Sequence, residues 1–130
     1  MKGEKNLTAL LKNLKPQLHK GEYVFVTLEN PNSINRDETI GEFKEAEGTT
    51  VIITKQKADS LQLEYNYIAA WITLQVHSAL EAVGLTAAFS TALAENNISC
   101  NVVAGYYHDH IFVDVKDAEK AIEILGELGK

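Results

Sequence analysis

The chain has 130 residues, 45% of them hydrophobic and 23% charged, with 12 basic against 18 acidic side chains and a formal net charge of −6. That balance excludes a disordered polyelectrolyte, and the acidic excess repels a phosphate backbone, so nucleic acid is not an expected partner. No apolar stretch approaches the roughly 20 residues of a membrane-spanning helix, and the opening MKGEKNL lacks the apolar centre of a secretory signal, so the sequence reads as a cytoplasmic protein with no membrane partner.

Leu7, Leu10, Leu11 and Leu14 recur at the spacing of one helical face, and Pro16 ends that helix. After Gly21 the run YVFVTL alternates and is rich in β-branched and aromatic residues, which predicts a strand over 23–28. Residues 29–38 are polar and carry Pro31, as a surface loop does, and a second strand follows the Gly48 turn over 49–55. Between 56 and 66 the pattern is weak and reads as a connection with an extra strand turn around Leu61 and Leu63.

From Tyr67 the signal strengthens. Ile68, Ala70, Ile72, Leu74 and Val76 fall on one side of a predicted strand, with Tyr67, Ala69, Trp71, Thr73 and Gln75 on the other. Leu85, Ala88, Phe89, Ala92 and Leu93 then follow the template of a helix buried along one stripe, closed by Asn96 and Asn97. Strands are predicted over 98–104 and 110–115, and a last helix starts at Asp117 as N-cap, burying Ala118, Ala121, Ile122, Leu125 and Leu128. Strand, helix, strand, strand, helix is the core of a ferredoxin-like α+β sandwich, an antiparallel sheet with helices on one face.

The chain also repeats itself. Thr8-Ala9-Leu10 with Asn13 matches Thr91-Ala92-Leu93 with Asn96 at a shift of 83 positions, and each match leads into a short strand around Phe25 or Phe112. On this reading residues 1–64 are a degenerate copy that lacks a leading strand, and residues 65–130 are a βαββα copy that lacks a trailing one. The halves, or two chains, would complete each other's sheet.

Two segments, TLQVHSALEAVGLTAAF over 73–89 and AENNISCNVVAGYYHDHIFV over 94–113, resemble a bacterial family of small proteins built of two tandem ACT-like units, and EAEGTTVI over 45–52 does so more weakly. Val83-Gly84-Leu85 is similar to the glycine-leucine step that opens the first helix of ACT regulatory domains. The resemblance implies an ACT-like sandwich in tandem duplication that binds a small molecule such as an amino acid where modules meet, near the first strand-to-helix loop and the second strand.

The residues at those places have suitable chemistry. Amides exposed at a helix N-terminus, here around Gly84, Leu85 and Thr86, carry partial positive charge and donate to a carboxylate, and Gly84 allows close approach to the backbone. Asn101 on the second strand can hydrogen-bond an α-amino acid, and His77 and Ser78 complete the polar groups of the loop. Gly84 equally serves as a simple turn residue, and Asn101, His77 and Ser78 as solvated or capping groups.

The run His108-Asp109-His110 opens an alternative, a metal-binding protein or enzyme using His77, His108 and His110, since histidines two apart on an extended segment share a face. His77 and Ser78 are neighbours and do not make a catalytic pair, so no catalytic residue is assigned, no cofactor is expected, and a binding module is favoured over an enzyme. Cys100, the single cysteine, reads as a buried small side chain. Trp71, Phe112 and Phe25 fall on the sheet face away from the helices, which predicts burial against a second sheet layer and a homodimer or larger assembly. A purely structural assembly domain is the remaining alternative.

Overall fold

A computed structural model describes residues 6–76 and 83–130. They form two packing units: one joins the start of the chain, to Lys20, with everything from Ala70 onward, and the other is Gly21–Ala69.

The first unit contains α1 (Leu7–Lys12), β1 (Pro16–Leu18), β5 (Ala69–Leu74, from its second residue), α3 (Leu85–Glu95), β6 (Asn101–Ala104), β7 (Asp109–Asp114) and α4 (Ala118–Glu127). Its strands lie in the order β1, β5, β7, β6. Strand β1 runs antiparallel to β5, with Pro16, Gln17 and Leu18 opposite Leu74, Thr73 and Ile72. The sheet thus has the ferredoxin-like order, and β1, from the start of the chain, takes the place of the trailing strand missing after α4.

Period-two alternation splits this sheet into two faces. Ala70, Ile72, Leu74, Ile111 and Val113 meet Leu10 and Leu14 from the first segment, Leu85, Phe89 and Leu93 of α3, and Ala118, Ala121 and Leu125 of α4 in one core. Complete burial of a Leu or Phe side chain is worth about 1.5–3 kcal/mol, so the α3 stripe alone anchors that helix firmly. Asn97 ends α3 at φ 63°, where the Asn97 amide reaches the Ala94 carbonyl and the Ile98 amide the Leu93 carbonyl, both at 3.0 Å. Asp117 is the N-cap of α4, as predicted, but makes no side-chain capping bond, while Asp114 accepts from the Lys116 amide and caps the short 3-10 turn Val115–Asp117.

The second unit contains β2 (Tyr23–Leu28), β3 (Gly41–Lys44), β4 (Thr49–Thr54) and α2 (Lys55–Ser60). Strand β4 pairs antiparallel with both β2 and β3, and Tyr23 of β2 pairs on its other side with Ala69. Val24, Val26, Leu28, Ile34, Val51, Ile53 and Ala58 form a separate core, with Leu63, Tyr65 and Ile68 packed against it. The connection over 29–38 is a loop, as predicted, tightened by 3-10 turns at Pro31–Ser33 and Arg36–Glu38 whose caps are Asn30 and Asn35.

Two readings of the sequence are corrected. Helix α2 stands in the segment read as a connection, just before Leu61 and Leu63 where a strand turn was expected, because Thr54 accepts from the Lys57 amide and starts a helix that buries only Ala58. The pattern was too thin to register. The repeat at a shift of 83 is not the structural repeat: β2, β3, β4 and α2 occupy the places of β5, β6, β7 and α4, so Phe25 does not correspond to Phe112. The element absent from the earlier copy is its first helix, replaced by the 29–38 loop, and not its leading strand. In packing, α1 and β1 belong with the later strands.

Candidate functional site

Helix α3 begins at Gly84, which adopts φ +100° and ψ −21° as its N-cap, and the Ala88 amide donates to the Gly84 carbonyl at 2.9 Å. Glycine has no side chain with which to cap this end, and the first-turn amides lie at the positive end of the helix dipole. A Cβ at Gly84 would lie 3.1 Å from Leu7 Cδ2, so this glycine also makes room for α1. Leu85 is buried in the core and offers a ligand only its backbone, whereas Thr86 is exposed. Asn101 begins β6, whose four residues are all exposed, and its Nδ2 donates to the Phe112 carbonyl at 3.3 Å. Its Oδ1 is therefore the group that can accept from an ammonium. His77 and Ser78 lie outside the described residues.

A second cluster lies on the helix-free face of the same sheet. The alternation puts Trp71 and Thr73 of β5 on that face with His110 and Phe112 of β7, and His19 follows β1 onto it, its amide donating to the Trp71 carbonyl at 3.0 Å. The His19 ring stacks on the Trp71 indole with centroids 3.6 Å apart and planes 12° from parallel, and Phe112 stacks at 6.3 Å. Trp71 Nε1 donates to His110 Nδ1 at 3.1 Å. Thr73 Oγ1 lies 3.0 Å from the same nitrogen and 2.6 Å from His19 Nε2.

These bonds fix the protons. An indole N–H only donates, so His110 Nδ1 is an acceptor and the ring is neutral with its proton on Nε2. Thr73 gives its one hydroxyl proton to that Nδ1 and accepts from His19 Nε2–H. The donors therefore point one way, from His19 through Thr73 to His110, with Trp71 meeting them there. Burial holds the His19 imidazole below its ordinary value, and burial, then His108 and His19, do the same for His110.

The described residues argue against the metal alternative, whose third member, His77, lies outside them. Nδ1 of His110 already takes two hydrogen bonds, and among the described residues no group of three or more His, Cys, Asp or Glu side chains can hold an ion. His108 shares no bond with His110. Its Nδ1 is buried without a hydrogen-bond partner in the hairpin between β6 and β7, where the Gly105 amide donates to the His108 carbonyl at 2.9 Å. The intervening Asp109 has its carboxyl pushed up by burial, against the opposing pull of His108. Burial likewise raises the Cys100 thiol to about 11, the behaviour of a packed and unreactive cysteine.

The aromatic trio is divided. Trp71 and Phe112 share one face, Phe25 belongs to Gly21–Ala69, and Phe112 is only 1% exposed within the single chain. Exposed apolar side chains of the later sheet are Leu18 of β1 and, on β6 and its hairpin, Val102, Val103, Tyr106 and Tyr107. Nothing local pointed to His19, which lies 54 positions from its hydrogen-bond partner Thr73. The one available signal was the alternation that set Thr73 beside Trp71.

Two ferredoxin-like units in tandem, with a glycine opening helix α3 of one of them, define a small α+β module. ACT-domain patterns match residues 2–70 and 67–127, and the chain belongs to the ACT-domain family with two units in tandem. A solved Vibrio cholerae protein of unknown function, described as a possible transport protein, is 47% identical over 97% of this chain and 98% of its own, with a TM-score of 0.86. An Agrobacterium tumefaciens protein is 18% identical over 90% of each chain, TM-score 0.71. The ligand-free regulatory subunit of aspartate kinase from Thermus thermophilus is 8% identical over 92% of this chain and 100% of its own, TM-score 0.60. The last two share the fold alone. No curated protein matches the sequence. Among the described residues no helix is long and apolar enough to cross a membrane.

Proposed function

We propose that this protein is a small-molecule-binding regulatory module that takes an amino acid and acts by binding, without catalysis. The observation that carries the reading is the glycine-opened first turn of α3, where the amides following Gly84 suit a carboxylate. Backbone groups of Gly84, Leu85 and Thr86 bind that carboxylate, and Asn101, His77 and Ser78 are the further polar groups assigned to ligand binding. The ACT family and the fold shared with an aspartate kinase regulatory subunit support a regulatory role. The partner is an enzyme or a transporter, the latter in keeping with the description of the Vibrio cholerae relative.

The module works as a homodimer. Phe112 is already covered within one chain, so the surface best suited to a second copy is β6, an uncharged exposed edge reading NVVA. Sedimentation of wild type against Val102→Lys tests this, and an unchanged mass would count against the β6 edge.

A thermal-shift screen of the amino acids tests the binding. A ligand at 100 times its Kd adds about 2.7 kcal/mol of stability. Stabilisation by an amino acid, lost in Gly84→Leu and weakened in Asn101→Ala, is the expected result. Asn101 is exposed, so its variant folds whatever becomes of Gly84→Leu. Stabilisation by none, or undiminished stabilisation in Asn101→Ala, would contradict the assigned site.

A further inference from the structure

The bonds around His110 do more than fill a sheet face. Strand β1 is three residues long, and its hold on β5 ends at the His19 amide bonded to the Trp71 carbonyl and the Gln75 amide bonded to the Lys15 carbonyl at 2.8 Å. Three residue pairs make a weak ladder. At one end the His19 side chain reinforces it, by stacking on Trp71 and by its bond to Thr73.

That reinforcement depends on His110 Nδ1 remaining an acceptor. A proton added there turns it into a donor facing the Trp71 N–H, and two donors at 3.1 Å repel. Thr73 can adapt by rotating its hydroxyl, but the indole N–H cannot reverse. The indole must then withdraw from His110, and the His19 ring resting on it moves as well.

We propose that Trp71, His110, Thr73 and His19 form a proton-operated latch that fastens β1 to β5 when the imidazoles are neutral and releases it when His110 is protonated. The device goes beyond the ligand-binding reading and stands without it.

The charged groups around His110 favour release. The hairpin presents His108 and the exit of β1 presents His19, both adding positive charge when protonated. On β7 itself Asp109 alternates to the opposite face, β5 contributes only Trp71 and Thr73, and β6 sets Val103 opposite His110. Among the described residues no carboxylate stands with the groups that act on His110 or His19. Below 6.5, the ordinary histidine value, the released state binds the proton more readily than the latched state, so acid drives opening.

Trp71 is the sole tryptophan, so its fluorescence reports the latch directly. In the full chain, titrated from about pH 8 to about pH 5, a single reversible transition below 6.5 is expected. Hydrogen exchange of the His19 and Gln75 amides, corrected for intrinsic rate, should quicken by up to about tenfold per pH unit in that window, since one proton is linked to opening. The Ala88 amide in α3 should not follow. His110→Gln keeps an acceptor for Trp71 but cannot take the proton, and should abolish the pH response of the two amides. Trp71→Phe removes the opposed donor and should do the same, read by exchange alone, which covers failure of the first variant to fold. Exchange at His19 and Gln75 that is independent of pH in wild type, or a response that persists in a folded variant, would overturn the latch.

Discussion

Replacing Gly84 with alanine separates the fold's need for this residue from a ligand's. At φ +100° an L-residue is strained, at a cost of order 1–3 kcal/mol. The new methyl would also sit 3.1 Å from Leu7 Cδ2, but that atom is the free end of a side chain and can yield by a few tenths of an ångström. The backbone therefore dominates. For a chain of this size the loss corresponds to a fall in Tm of about 4–12 °C. Urea denaturation followed by circular dichroism should show a lower midpoint at unchanged slope. Adding Leu7→Ala should recover no more than about 0.5 kcal/mol of the Gly84→Ala loss in a double-mutant cycle, because contact with Leu7 is the minor part. A neutral Gly84→Ala, or its complete rescue by Leu7→Ala, would refute the assignment of the cost to the left-handed backbone.

Other consequences follow from the same structure. Leu10 is fully buried in the core shared by α3, α4 and the later strands, so Leu10→Ala should cost about 2–5 kcal/mol in urea denaturation; a loss below 1 kcal/mol would mean that α1 is dispensable to that core. Burial raises the Cys100 thiol from 9.0 to about 11, so at pH 8 an aromatic disulfide reagent should react about a hundredfold more slowly with folded than with urea-unfolded protein, and equal rates would contradict the packing. The lowered imidazoles of His19 and His110 mean that the unfolded chain binds more protons just below 6.5. Their contribution to stability is full above that value and lost as pH falls through it, so Tm should decline between about pH 6.5 and 5, and a rise there would reverse the sign.

Elements with many buried positions were legible. Strand β2 came out with its observed limits and α3 within a residue, since YVFVTL alternates cleanly and Leu85, Phe89 and Leu93 mark one stripe. Elements with little to bury were not. Strand β1 is PQL behind a proline, β3 is GEFK with Phe43 72% exposed, and α2 buries Ala58 alone. The missing trailing strand was foreseen, but its supply from residues 16–18 was not, because a long-range pairing leaves no local pattern. The histidine cluster shows the same limit. His108 and His110 stood out by adjacency, yet the groups that define His110 are Trp71, Thr73 and His19, which only the sheet brings together.

Amide-resolved NMR titration of the full chain with the amino acid most stabilising in the thermal screen tests the central claim most directly. Saturable shifts concentrated on the Leu85, Thr86 and Ala87 amides and on the Asn101 side chain are predicted. Saturable shifts centred elsewhere, with the first turn of α3 unmoved, would contradict it.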